Sequence, residues 1–457
     1  MQNHQFPANF LESLSDEPGF DRQNFVDAHQ KNESPTSIRI NPFKKITLKT
    51  GKQVPWCAEG IYLDTRPSFT FDPLFHAGVY YVQEASSMFI DPILKHIKGA
   101  KPVKVLDLCA APGGKSTLLN SALTPGDLLV ANEIIKTRVP ILADNLARWG
   151  TANSIVTNND PKDFSRLTGF FDIVLVDAPC SGSGMFRKDP GAMDEWSPAN
   201  VNLCHQRQKR ILADIYPTIN EDGYLIYSTC SYSHQENEGI LDWLCSTFAL
   251  ESIRIPILND WGIVETQSPA KKAWGYRFYP GKVKGEGLFA SVLRKRESSG
   301  SLTSFKNNKN QKVPGNEMEL VKPYINDPSA YYYFKVSDDW LAINHQHKES
   351  LNLLQHHLYI KKSGVRIGKL AGRDLIPDHE LALSIIINKD AVEQTELAHD
   401  QAISYLRRDN LNVNEIRKGW SLMNFEGHPL GWAKLLPNRV NNYYPKELRI
   451  LAQAPKF

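Results

Sequence analysis

Apolar residues follow two rhythms along the chain. Between residues 101 and 296 they come as short continuous blocks, at 103–108, 127–131, 154–157, 171–176 and 224–227, each followed by a longer stretch of mixed polarity. Blocks of that length without polar alternation predict strands buried on both faces. Their alternation with helical stretches, the first from about Ser116, predicts a parallel sheet covered on both sides. Asp222-Gly223 marks the turn into the fifth strand, and residues 287–293 predict a late one. Before this region, Phe6, Phe10, Leu11 and Leu14 recur at helical spacing until Pro18-Gly19 interrupts them. A short strand is predicted over 37–40, ending at Asn41-Pro42, and a helix opening over 82–88. Residues 297–316 are rich in Ser, Asn, Lys and Gly with almost no large apolar side chain, the composition of a linker. The remainder, 317–457, reads as a separate unit, with a strand at 331–336, a glycine-rich stretch at 363–372 and an aromatic-rich end. The expected division is therefore 1–100, 101–296, a linker at 297–316, and 317–457.

Composition narrows the function class more by exclusion than by indication. A chain of 457 residues, 41% hydrophobic and 23% charged, is an ordinary globular protein of about three domains. Its formal charge of +3 neither announces nor excludes a nucleic acid. Local clustering says more. Arg407-Arg408, Arg417-Lys418, Lys434 and the stretch 439–449 interleave with Trp420, Trp432, Tyr443 and Tyr444. Basic side chains can hold phosphates and aromatics can stack on splayed bases, although such aromatics serve equally as core. The six cysteines form no CxxC pair and no disulfide framework, and His345, His347, His356 and His357 offer no metal set. No metal is expected. The N-terminus lacks a secretory pattern, no apolar run approaches the ~20 residues of a membrane helix, and no heptad appears. A monomer in a reducing compartment, the cytoplasm, is the expectation.

The candidate chemistry sits at the predicted strand ends, where open α/β sheets bind ligands. The first strand runs into Asp107, Leu108, Cys109, Ala110, Ala111, Pro112, Gly113, Gly114 and Lys115. Small residues and two glycines let a ligand approach a helix N-terminus. The stretch matches neither the P-loop nor GxGxxG, which weakens triphosphate and dinucleotide readings. The second strand ends at Glu133, an acid able to accept both ribose hydroxyls, and the third is followed by Asp160, a candidate acceptor for an adenine amino group. Each alone reads equally as a loop acid; three successive strand ends together favour a nucleoside site. The fourth strand ends in Asp177-Ala178-Pro179-Cys180 and the fifth in Ser228-Thr229-Cys230. A free cysteine is usually a buried small hydrophobe. Two of them beside an acid and a nucleoside pocket favour a thiolate nucleophile instead. Spacing does not decide which of the two attacks.

These motifs resemble the Sun-family RNA (cytosine-5) methyltransferases, and most closely the RsmF-type enzymes of bacterial small-subunit rRNA. The matching stretches are VLDLCAAPGGKST (105–117), VANE (130–133), VDAPCSGSGMFRKDP (176–190) and YSTCSYSHQENE (227–238), with SIRINP (37–42), YYVQEASSM (80–88), GVRIGKL (364–370) and LGWAKLLPNRVNNYYPKELR (430–449) outside the core. The resemblance spans nearly the whole chain and is weaker in the tail. Ser183 departs from it, standing where RsmF-like proteins often carry Glu.

The resemblance implies a Rossmann-like class I S-adenosylmethionine-dependent methyltransferase core, an α+β N-terminal RNA-binding region and a C-terminal PUA-like RNA-binding module. It implies that Cys109 to Lys115 surround the methionine moiety, that Glu133 holds the ribose, that Asp160 lies on the adenine side, and that Asp177 sits between donor and base. Arg138 is a candidate partner for an acid near the cofactor. Cys230 matches the family nucleophile and Cys180 the cysteine that assists product release. The expected reaction is methylation of cytosine carbon 5 in 16S rRNA or the small ribosomal subunit. The same chemistry on tRNA, and a non-catalytic rRNA-binding assembly factor, stand as alternatives.

Overall fold

A computed structural model describes residues 6–31, 34–46, 51–189, 191–298, 300, 315–411 and 418–452. A ten-stranded mixed sheet forms its centre. The strands of this sheet are numbered in chain order: β1 Lys104–Asp107, β2 Leu128–Asn132, β3 Ser154–Thr157, β4 Phe171–Asp177, β5 Ile219–Thr229, β6 Leu250–Ser252, β7 Val264–Gln267, β8 Trp274–Phe278, β9 Leu288–Lys295 and β10 Ile360–Ser363. They lie in the order β7-β8-β9-β5-β4-β1-β2-β3-β10, with β6 on β9. The five apolar blocks supply β1 to β5, which run parallel to one another.

Alternate side chains of these strands enter two separate cores, as the pleat requires. Val105, Leu129, Val156, Ile173 and Ile226 face one. Leu106, Val130, Ile155, Val174 and Leu225 face the other. Each fully buried side chain of this size is worth about 1.5–3 kcal/mol, and this two-sided burial is why the strands carry no polar alternation. Helices Ile90–Ile97 (α1), Gly114–Ala122 (α2) and Val139–Trp149 (α3) feed the first core, and Pro198–Ile215 (α4) and Glu238–Thr247 (α5) the second. Strand order turns around at β1, which pairs with β2 on one side and β4 on the other, so a crevice opens beyond its carboxyl end.

The N-terminal region is a four-stranded sheet, Lys52–Val54, Cys57–Leu63, Thr36–Ile40 and Tyr80–Val82 in spatial order. The helical spacing of Phe6 to Leu14 yields only the single turn Phe10–Ser13, and the stretch 82–88 closes a strand before a 3-10 turn leads into α1. Arg39 ties this sheet to the core. It is buried, lies 4.5 Å over the Trp149 ring, and donates to Gln83 Oε1 (2.8 Å), Ser121 Oγ (2.7 Å) and Thr117 Oγ1 (2.6 Å) of α2.

Beyond the core, most of the predicted linker, at 299 and 301–314, lies outside the described residues, and its last two residues already belong to the helix Gly315–Val321. Residues 317–457 build two sheets of their own and also lend one strand to the central sheet. Their glycine-rich stretch folds as strands, and β10 pairs antiparallel with β3, matching Ile360 to Thr157 and Ser363 to Ile155. A second sheet (Tyr331–Val336, Asp339–Asn344, Val365–Ala371, Asp374–Pro377) and a third (Glu393–Glu396, Gly419–Phe425, His428–Leu436, Arg439–Asn442) follow. Trp432 and Tyr444 are core residues of this end. Trp420 and Tyr443 remain nearer the surface, ring centroids 4.4 Å apart, with Lys434 5.5 Å from the Trp420 ring centroid. Arg417 lies outside the described residues. No helix among the described residues is long and apolar enough to cross a membrane.

Replacing Arg39 with Ala removes the donors to Gln83, Ser121 and Thr117 and the packing on Trp149. Urea unfolding is expected to show a loss of about 2–4 kcal/mol.

Candidate functional site

Parallel pairing of β4 and β5 sets the site. Val176 lies opposite Tyr227 and Asp177 opposite Ser228, so both strands end level. The loops that leave them run side by side, and Cys180 Sγ stands 3.2 Å from Cys230 Sγ. Gly184 closes the pair: its N–H donates to Cys230 O at 2.6 Å, and a Cβ there would fall 2.5 Å from that same oxygen. Ser183 accepts from the Tyr232 N–H at 3.0 Å, so the residue that departs from the family pattern is a buried stitch between the two loops. The Cys180 thiol is pushed well above its ordinary value, first by its hydrogen bond with Cys230, then by burial and by the negative charges of Cys230 and Glu236.

Asp177 extends from the end of β4. One carboxylate oxygen accepts from Lys115 Nζ at 2.7 Å and the other from Ser228 Oγ at 2.7 Å. Burial opposes the charge of Lys115, yet its pKa is held above the ordinary lysine value by Asp177, with Cys230 and Asp107 adding to the attraction. Lys115 therefore links the glycine turn to the cysteine pair, a connection the sequence did not disclose.

The glycine turn itself begins at Asp107, whose carboxyl is fully buried. Ser116 Oγ donates to Asp107 Oδ2 at 2.6 Å, while Oδ1 has no partner. Burial raises its pKa to about 7. Burial also pushes the Cys109 thiol upward. Ala110 and Ala111 are buried, the bond into Pro112 is cis, and Gly113 precedes α2 with φ +113°, a conformation few L side chains adopt. From Gly114 the chain continues as α2, placing Lys115 in its first turn.

Glu133, at the end of β2, accepts from the Ile135 N–H at 2.8 Å through Oε1. Its Oε2 is ion-paired with Arg138 Nη1 at 3.6 Å, and the side chain is buried; Arg138 itself donates to Ala111 O. Asp160, after β3, caps the next turn by accepting from the Lys162 N–H at 3.1 Å and faces Arg210 at 3.3 Å. It thus does the work of an ordinary turn acid as well as bordering the crevice. Its neighbour Asn159 binds the C-terminal region, accepting from the Tyr359 N–H and donating to Tyr359 O. A carboxylate at the end of β2 and the glycine turn at a helix start have the chemistry that fits an adenosyl cofactor, which these residues would hold.

A sheet of this order, with a glycine turn after its first strand and an acid after its second, defines an S-adenosylmethionine-dependent methyltransferase. Residues 96–294 match the family of 16S rRNA methyltransferase RsmB/F, residues 6–85 the N-terminal domain of 16S rRNA methyltransferase RsmF, and residues 392–450 the methyltransferase RsmF PUA domain. The ribosomal RNA small subunit methyltransferase F of Aliivibrio salmonicida is 30% identical over 448 residues, covering 90% of each chain, and that of Klebsiella pneumoniae 29% over 442, again 90% of each. Among solved structures, a methyltransferase homologue from Pyrococcus horikoshii is 27% identical, with a TM-score of 0.51 over 62% of this chain and 98% of its own. NSun6 from the same organism, solved with SFG, shares the fold at 19% identity, with a TM-score of 0.53 over 64% of this chain and 99% of its own. The chain belongs to the ribosomal RNA small subunit methyltransferase F family, and S-adenosylmethionine is its cofactor.

Three groups at this edge escaped the sequence reading: Ser228, Gln208 and Glu236. Ser228 and Glu236 lie inside the quoted stretch 227–238, but only the loop pairing reveals what they touch. Gln208 lies on α4 and donates to Pro179 O at 3.1 Å.

Because the folded state favours neutral Asp107, the stabilisation that proton gives is complete below the unfolded pKa near 4. It is lost as pH rises through about 7. Asp107→Asn removes this titration. Denaturant unfolding from pH 4 to pH 8 is expected to show wild type losing about 2–4 kcal/mol relative to the variant.

Proposed function

We propose that this protein methylates carbon 5 of a cytosine in 16S rRNA through a covalent Cys230–cytosine intermediate. The observation that carries the reading is the paired thiols, 3.2 Å apart, beside an aspartate–lysine pair at the carboxyl edge of a cofactor-binding sheet. A methyltransferase acting on a nucleophilic nitrogen or oxygen needs no such pair. Carbon 5 of cytosine is a poor nucleophile, and addition of a thiolate at carbon 6 makes it enamine-like.

S-adenosylmethionine supplies an electrophilic methyl group. Glu133 holds the ribose, Asp160 borders the adenine, and Cys109, Ala110, Ala111, Pro112, Gly113 and Gly114 line the methionine end. Cys230 forms the sulfur–carbon 6 bond, with Lys115 as the cation in electrostatic reach of that sulfur. Asp177 already accepts from Lys115 through one carboxylate oxygen and from Ser228 through the other. It acts as a hydrogen-bond acceptor for the amino side of the base rather than as a proton donor. After methylation the carbon 5 proton must leave before the Cys230–carbon 6 bond breaks. The Cys180 thiolate beside Cys230 takes that proton, the electron pair left behind re-forms the carbon 5–carbon 6 double bond, and the carbon 6–sulfur bond breaks to return Cys230 as thiolate. The target base must leave its stack to reach sulfurs seated in the crevice.

The regions 1–100 and 317–457 serve as RNA-binding flanks of a catalytic domain at 101–296. Lys434 with Trp420 and Tyr443 forms a basic and aromatic contact surface in the tail. Two thiols this close survive unoxidised only in a reducing compartment, which favours the cytoplasm.

Cys230→Ala is expected to abolish methylation and all covalent RNA adducts, whereas Cys180→Ala accumulates a protein–RNA adduct visible on denaturing gels. An exchange of the two phenotypes would overturn the role assignment. Bisulfite sequencing of a deletion strain tests the substrate. Loss of one 16S methylcytosine supports the reading, loss confined to tRNA shifts the same chemistry to tRNA, and no loss in either leaves an RNA-binding assembly factor.

A further inference from the structure

Every acceptor position of one fully buried carboxylate is directed at the two cysteine loops and the helix behind them. Glu236 closes the 3-10 turn His234–Glu236 that leads into α5. Its Oε1 accepts from the Ser181 N–H at 2.8 Å and from Gln208 Nε2 at 3.2 Å. Its Oε2 accepts from Ser181 Oγ at 2.5 Å and Ser231 Oγ at 2.6 Å, and those two hydroxyls lie 3.3 Å apart. Ser181 directly follows Cys180, and Ser231 directly follows Cys230. No lysine, arginine or histidine pairs with Glu236 among the described residues, so its charge is met by neutral donors alone. Burying such a group is costly, and a hydroxyl-to-apolar exchange would have spared the cost if only packing mattered.

We propose that Glu236 is a positioning residue of the methyl-transfer site, a single carboxylate that clamps the Cys180 loop to the Cys230 loop through Ser181 and Ser231 and so sets the separation and orientation of the two sulfurs. The inference rests on the cysteine roles proposed above. Neighbouring bonds support the same platform: Asn237 Nδ2 donates to Ser231 O at 2.8 Å, and Thr229 Oγ1 to Asn237 Oδ1 at 2.7 Å. The Cys230 loop is thus held from below by consecutive residues, and Glu236 reaches across to Ser181, the residue next to Cys180, adding to the Ser183–Tyr232 and Gly184–Cys230 bonds between the two loops. Its negative charge also raises the proton affinity of Cys180, which suits a sulfur that must take the carbon 5 proton during elimination. Glu236 touches neither substrate nor cofactor site, so its effect belongs to turnover and not to binding.

The test uses Glu236→Gln in the full chain, with Ser181→Ala and Ser231→Ala as milder cuts of the same clamp. Glutamine keeps the shape and one acceptor while removing the charge. The expected result for Glu236→Gln is a fall in kcat of about 30- to 100-fold. KM for RNA and the affinity for S-adenosylmethionine stay within about threefold. The pH midpoint for alkylation of the cysteine pair moves downward, as it should when a negative charge leaves its vicinity. Ser181→Ala is expected to lower kcat in the same direction, and its effect is not additive with that of Glu236→Gln. If kcat and the alkylation midpoint are both unchanged in Glu236→Gln while Cys230→Ala is inactive, the inference fails and the cysteine reading stands. If Cys230→Ala still methylates, the cysteine reading itself falls. If Glu236→Gln does not fold, Ser181→Ala decides: full kcat in that variant also overturns the inference.

Discussion

The register between β4 and β5 is the constraint on which the site depends. Because Asp177 stands opposite Ser228, the residues three beyond Asp177 and two beyond Ser228 emerge level with each other as Cys180 and Cys230. A slip of one residue would turn every side chain of one strand to the opposite core. The register is therefore enforced by the burial of Ile173, Val174, Leu175, Val176, Leu225, Ile226 and Tyr227, far from any reacting atom. Catalytic geometry here is a consequence of core packing, refined by the Gly184–Cys230 backbone bond, which only a residue without a Cβ permits.

Charge is arranged on the same edge by burial as much as by pairing. Lys115 and Asp177 neutralise each other where the cofactor turn meets the cysteine loops. Asp107, at the end of the adjacent strand β1, has its pKa raised to about 7 by being enclosed. Three acids at successive positions along this edge thus have different partners: Asp177 has Lys115 and Ser228, Asp107 has only Ser116 and is enclosed, and Glu133 has the Ile135 N–H and Arg138.

Much of this was legible in the chain. Continuous apolar blocks located the five parallel strands within a residue or two, because strands buried on both faces leave an unmistakable pattern; β5 alone began earlier than its apolar block, its start carrying polar residues at 220–222. The strand-end residues fell at one edge because parallel strands all end there. What could not be read were relations across distant segments. Nothing in residues 360–363 announces that they extend the sheet of residues 154–157, since a short edge strand with lysines in it has no period of its own. Trp432 and Tyr444 sit in the same basic, aromatic stretch as Trp420 and Tyr443, yet the first two are core, and only the third sheet's packing tells them apart.

The unforeseen strand β10 has a mechanical meaning. It joins the C-terminal region to the sheet through backbone bonds, and Tyr359 just before it exchanges two hydrogen bonds with Asn159, whose neighbour is Asp160. At the other side, Arg39 locks the N-terminal sheet onto α2, the helix that begins at the glycine turn. Both flanks are thereby tied to the central domain by directional polar bonds in addition to the apolar packing they share with it, Val54, Trp56 and Tyr62 in the first core and Phe334, Leu341 and Ile343 in the second. A directional hydrogen-bonded joint resists sliding where an apolar one permits it. An RNA engaged by both flanks would meet the cysteine pair at a fixed distance, so on the reading proposed above the choice of target base would follow from the spacing built into these joints as well as from any contact to the base.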